Sequence, residues 1–125
     1  MNKVTHEFVQ LFNEKRDFYE CHEIFEEAWK AAVDPVEASF YKALVQVATA
    51  QFKLNKGLLR GVRKLYGFCR EPLAALPDLY QGIDLCRLRR EFASQVHSLP
   101  ADLDVIAEGE YQLYGLSYLD IYRAE

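Results

Sequence analysis

The chain has 125 residues, 50% of them hydrophobic, 27% charged and 14% aromatic, with 19 acids against 15 bases for a net charge of -4. A chain of this size buries roughly two-thirds of the surface it exposes when unfolded, which excludes intrinsic disorder and any need of disulfides or metals for folding. The charge is segmented: residues 1–37 hold nine acids and four bases, residues 38–70 no acids and seven bases, and residues 71–125 ten acids and four bases.

No stretch approaches the roughly 18 apolar residues that a membrane span needs, and the start, MNKVTHEFVQLFNEK, lacks a signal-peptide pattern, so the expectation is a cytoplasmic protein without a membrane partner. Cys21, Cys69 and Cys86 lie far apart with neither CxxC nor zinc-ligand spacing and read as buried, reduced thiols.

In chain order, Thr5 is placed to cap a first helix carrying Phe8, Leu11 and Phe12 on its apolar side, fading over Asn13 to Arg16. Asp17 to Glu20 forms a capping-box-like start for a second helix ending near Ala32. Asp34-Pro35-Val36-Glu37 combines a cap, a proline at the first helical position and a returning carboxylate, the clearest helix start in the chain. The helix it begins, to about Asn55, confines its polar residues Ser39, Lys42, Gln46, Thr49 and Lys53 to one narrow stripe, the pattern of a central helix in a bundle. Lys56-Gly57 ends it. A fourth helix carries Leu59, Val62, Tyr66, Cys69 and Leu73, with Pro72 expected to kink or stop it. Asp84 caps a fifth, with Leu85, Leu88, Phe92, Val96 and Leu99 as its stripe and Pro100 closing it.

No run reads as a strand. The fold class is therefore all-α, a compact bundle of about five helices with short connections over residues 1–100. Residues 101–125 read as an aromatic extension packing on the bundle or on a partner. Tyr111, Tyr114, Tyr118 and Tyr122 would form one stripe on a helix, a candidate interface, although Gly109 and Gly115 oppose helix there.

The densest chemistry lies on the second helix, Phe18 to Trp29. His22 and Glu26, one turn apart at the border of its apolar face, are able to share a proton or a divalent metal. His22-Glu23-x-x-Glu26 has a glutamate where HExxH needs its second histidine, and Glu-x-x-His spacing is missing too, so neither metal motif is complete. The reading preferred on residue types is a structural polar cluster under Trp29, with the indole in the core seeking a carboxylate or carbonyl. Its rival is a small metal-assisted hydrolase using His22 and Glu26, with Gln46 supplied by the central helix. Ser39, Thr49 and Cys21 show no triad arrangement, and no phosphate-binding glycine loop is present.

Glu20-Cys21-His22-Glu23-Ile24-Phe25-Glu26-Glu27-Ala28-Trp29 resembles the E-x-H-E-x-x-E-x-x-W signature of the domain of unknown function 309 family, and the likeness extends through Leu44-Val45-Gln46-Val47-Ala48, Gly57, Gly61 and Gly82-Ile83-Asp84, about residues 8–99. The resemblance implies an all-α fold and nominates Glu20, His22, Glu23, Glu26 and Trp29, without supplying a reaction. Family members often carry a histidine near the end of the central helix, where this chain has Phe52-Lys53, so a site relying on that imidazole is not assembled here. Many also carry Gln-Gly in place of Lys42-Ala43, which bears on how closely the helices approach there.

Arg60, Arg63 and Lys64 form a basic patch on the fourth helix. Internal charge complementarity is the preferred account of it, ahead of nucleic acid, because nearby aromatic surface is sparse and the isoelectric point is about 5.4. The sequence thus favours a non-catalytic helical domain, self-associating as a homodimer or binding a protein partner, with no cofactor; the alternative enzyme would take a divalent metal.

Overall fold

The computed structural model describes residues 1–124. It is an all-α bundle of five helices: α1 (Lys3–Gln10), α2 (Phe18–Ala31), α3 (Pro35–Asn55), α4 (Leu59–Ala75) and α5 (Leu85–His97), with a two-residue antiparallel hairpin, β1 (Leu79–Tyr80) and β2 (Ile83–Asp84), ahead of α5. None of the helices is long and apolar enough to cross a membrane.

Asp17, Asp34 and Asp84 cap as expected, each side chain accepting from the backbone N–H three residues on. The first helix starts differently. Asn2 is its cap, and Thr5 sits inside the helix, fully buried, donating its hydroxyl to Gln81 Oε1 at 2.7 Å. Thr5 has the right chemistry for a cap but supplies instead the amide that Asn2 accepts. The fading after Gln10 is a π-helical turn over Leu11–Lys15, closed by Arg16 in the left-handed region at φ +53°.

Pro72 neither kinks α4 into a second element nor stops it; the helix runs one turn further, to Ala75. Proline removes one amide donor, but buried Leu73 anchors that last turn, and the carbonyls of Leu73 and Leu76 are taken by Arg89 at 3.0 and 2.6 Å. The hairpin corrects the expectation of no strands. Gln81 and Gly82 both have positive φ, +48° and +75°, the primed turn that lets two strands reverse in two residues.

The core lies around α3, whose Phe40, Leu44, Val47, Ala48, Ala50 and Leu54 are wholly buried. Helices α2 and α4 flank it and both run antiparallel to it, joined to it by short loops. A stacked aromatic group ties α1 to α2, with the Phe8 and Phe25 rings 3.9 Å apart.

Residues 101–124 form no long helix. They hold one 3-10 turn, Glu110–Tyr114, and otherwise run over the bundle as turns and irregular chain. Gly57 fixes where this segment starts. At φ +78° it occupies a conformation that side chains disfavour, and an added Cβ would lie 2.1 Å from Ile106 O. That close approach lets Ile106 N donate to Gly57 O at 2.9 Å and Gly109 N to Asn55 O at 2.7 Å. Further on, Asn13 donates to Ile121 O and accepts from Ile121 N, while Arg16 donates to Leu119 O. The carboxamides of Gln51 and Gln95, both buried, bond reciprocally at 3.0 and 2.8 Å, and Gln51 Oε1 also accepts from Leu119 N at 3.0 Å.

Candidate functional site

On α2 the heptad-like burial of Phe18, Cys21 and Phe25 turns Tyr19, His22 and Glu26 toward the exposed edge shared with α3. His22 Nδ1 lies 3.2 Å from Glu23 Oε1 and its Nε2 3.1 Å from Glu26 Oε2. The second oxygen of Glu26 accepts from Lys30 Nζ at 3.1 Å. The Lys30 hydrogen bond, then its charge, and to a lesser degree the His22 charge hold the Glu26 carboxyl below the usual carboxylate range.

Every partner of this cluster belongs to α2. In place of a cluster under Trp29, His22, Glu23, Glu26 and Lys30 form a ladder along one helix, set by spacings of one and four residues. Trp29 is half-buried, and its ring carries the Lys42 ammonium 5.2 Å from the centroid rather than a hydrogen bond to a carboxylate. Gln46 lies further along the polar stripe of α3, on its α4 side. It lines a depression of about 300 Å³ with Ser39, Lys42, Ala43, Phe68 and Pro72, and bonds to neither His22 nor Glu26.

Beside His22 lies an aromatic cleft of about 190 Å³, walled by Phe18, Tyr19 and Phe52 with Thr49 and Lys53. Phe52-Lys53, the pair that stands where related proteins often have a histidine, thus faces His22 directly. The cleft sets the Phe52 ring beside His22, while the stem of Lys53 packs against Gly61 of α4. The atoms of His22, Glu23 and Glu26 able to ligate a metal lie within 4.8 Å of one another. Gathering them around one ion requires the ring to turn a nitrogen from its carboxylate to the ion.

The thiols are dissimilar. Cys21 and Cys69 are buried, with burial raising both; Cys69 is pushed up to about 12. Cys86 is exposed, against the sequence expectation, because it sits one position off the α5 stripe of Leu85 and Leu88. The basic patch is not one surface. Arg63 turns to Leu103 O, at 3.0 Å, and to Pro100 O, whereas Arg60 and Lys64 stay exposed. Of the seven bases between residues 38 and 70, only Lys56 and Arg63 meet a carboxylate among the described residues, namely Glu108 at 2.8 Å and Asp104 at 3.8 Å. The expected internal complementarity is confined to those two; on α2, Glu23 and Glu26 pair along their own helix instead.

Nor do the four late tyrosines form one stripe. Tyr111 is buried with its ring 4.7 Å from that of Tyr118, Tyr118 accepts from Asn55 Nδ2 at 2.7 Å, and Tyr122 lies under Arg87 at 3.4 Å. Tyr114 alone of the four is exposed. Gly109 and Gly115, both with positive φ, end the single 3-10 turn on either side and break the helical spacing that the stripe needs. Sequence reasoning missed Asn13, Arg16, Gln51 and Gln95, the polar residues that hold residues 117–121. A glutamine inside an apolar run, as Gln51 is between Ala50 and Phe52, is the one signal that pointed to them.

Residues 5–65 match the model of a family described as domain of unknown function (DUF309). The match takes in the Glu20 to Trp29 motif, all of α2 and α3, and the first turns of α4, so the resemblance drawn from that motif is shown over these residues. Residues 66–99, which the motif reading also included, lie beyond the match. A search of curated proteins finds no match to the chain.

Proposed function

We propose that this DUF309-like chain is a non-catalytic interaction module, and that the His22 cluster is a structural element of its binding face. The observation that carries this reading is the engagement of the cluster. Both ring nitrogens of His22 meet carboxylates on its own helix, and Glu26 spends its second oxygen on Lys30. A histidine base or metal ligand needs a ring nitrogen aimed at a substrate or ion, and both ring nitrogens of His22 are set against carboxylates of their own helix. The space next to it is lined by aromatic rings, the kind of surface that gains from contact with another protein.

A second reading has one specific observation in its favour: the three potential ligand atoms within 4.8 Å of one another, the start of a metal-assisted hydrolytic site. Metal analysis of untagged protein and of its His22→Ala variant separates the two. Equal, trace metal in both supports the interaction module. Stoichiometric divalent metal in the wild type that is lost in the variant overturns it in favour of the enzyme.

A further inference from the structure

Helices α2, α3 and α4 share one exposed face. Its centre is the polar stripe of α3; α2 and α4, parallel to each other, form its two sides. Contacts to α3 fix which residues stand level across it. The Tyr19 ring is 6.4 Å from that of Phe52, and the neighbouring Lys53 packs on Gly61, so Tyr19 and Gly61 are level. Lys42 lies over Trp29 and shares its depression with Phe68, so Trp29 and Phe68 are level.

At these levels the two sides carry opposite signs. Along its outer side α2 carries Glu20, Glu23 and Glu27 and then Lys30, all exposed; α4 carries Arg60 and Lys64 and then Glu71, exposed as well. Acid, acid, base stands against base, base, acid. Among the described residues Arg60, Lys64 and Glu71 have no ion-pair partner, and neither do Glu20 and Glu27. The face also bears the two most exposed aromatic side chains of the described residues, Tyr19 at 61% on one side and Phe68 at 60% on the other.

We infer that this face binds a second copy of the chain in an isologous dimer whose two-fold axis runs along α3. It rests on the interaction-module reading and names the partner of that face. Such an axis exchanges left and right while preserving level, so it lays α2 of each copy over α4 of the other. Glu20 then faces Arg60, Glu23 faces Lys64, and Lys30 faces Glu71, each pairing occurring twice. Phe68 of one copy comes to the level of Trp29 of the other, giving the interface an aromatic anchor within a charged rim. The alternative two-fold, across α3, reverses level and sets α2 on α2 and α4 on α4, so it joins no α2 acid to an α4 base and would leave a variant combining both charge reversals no tighter than its parents.

Sedimentation equilibrium of the full chain over a range of concentrations tests this, at about 0.05 M and about 0.5 M salt, conditions that differ strongly in screening. The wild type is expected to show a monomer–dimer equilibrium that weakens at high salt. Arg60→Glu with Lys64→Glu, and separately Glu20→Lys with Glu23→Lys, each raise the dissociation constant about 100-fold, and the four changes combined bring it back to within about tenfold of wild type. Circular dichroism checks that each variant keeps its helices. A wild type that stays monomeric at every concentration, or a combined variant no tighter than its parents, overturns the proposal. So does a monomeric wild type that shifts a single-stranded RNA and loses the shift with Arg60→Glu/Lys64→Glu, which would assign the bases to an anionic polymer. Failure here with trace metal in the earlier comparison removes only the dimer; stoichiometric metal removes the interaction reading itself.

Discussion

Replacing Gln51 by leucine keeps the volume of its side chain and removes its hydrogen bonds, which isolates the contribution of the amide pair. Gln51 is fully buried and bonds reciprocally to Gln95, and its Oε1 also accepts from Leu119 N. In Gln51→Leu the Leu119 N–H and Gln95 Oε1 are left without partners. In Gln95→Leu the orphans are Gln51 Nε2 and Ser117 O, the acceptor that Gln95 otherwise serves at 2.9 Å. At about 1.5 kcal/mol for each buried unsatisfied group, each single variant loses about 3 kcal/mol. The double variant strands only Leu119 N–H and Ser117 O, so it also loses about 3 kcal/mol instead of the additive sum of about 6. Urea unfolding followed by circular dichroism reads this directly. With a slope of about 1.5 kcal/mol per molar urea, each single change and the double change should move the midpoint down by about 2 M. Hydrogen exchange at the Leu119 amide should accelerate in Gln51→Leu and remain slow in Gln95→Leu, where Gln51 still accepts from it. Additive losses in the double variant, or single losses under about 1 kcal/mol, would refute the account of residues 117–121 as held by this amide pair.

Two further outcomes follow from backbone and side-chain geometry. Gly57→Ala should destabilise by about 3 kcal/mol or more in thermal unfolding, since a left-handed φ of +78° and a Cβ at 2.1 Å from Ile106 O must both be accommodated; Gly67→Ala, in an exposed stretch of α4 with open space around it, should instead stabilise by about 0.5–1 kcal/mol. Burial first, then the hydrogen bond with Tyr111, raises the Tyr118 phenol from 10.0 to about 12; a group whose folded value is raised contributes stability fully present below its unfolded value and lost as pH rises through the folded one. Stability should therefore fall between pH 10 and about 12 in the wild type, and a Tyr118→Phe variant with the same slope in that window would show that another group is responsible.

The caps show how local chemistry and distant packing divide the fold between them. Asp17, Asp34 and Asp84 were readable because an aspartate satisfies the amide three residues on, whatever surrounds it. Thr5 departs from the capping pattern because its hydroxyl donates to Gln81 Oε1, which lies 76 residues away. Pro72 was overrated for a related reason: the cost of its missing donor is local, and the packing of Leu73 with the bonds from Arg89 is not. The candidate site divides likewise. The His22, Glu26 and Lys30 ladder follows from spacing alone, whereas the exclusion of Gln46 from it and the placing of Phe52 and Lys53 opposite His22 depend on how α3 is rotated against α2.

By itself the sequence determined the helices, their order, the central place of α3 and the cluster along α2, because periodicity and capping act over a few residues. Only the tertiary structure decided the course of residues 101–124. Their few helical signals are outweighed by bonds to Asn13, Arg16, Gln51 and Gln95, whose positions are set by the bundle and not by neighbours in the chain. The charge segmentation belongs to both. The runs of acid and base are written in the sequence, but their separation onto two parallel helices at matched levels, with the bases of α4 largely unpaired, arises only when α3 brings α2 and α4 to one face.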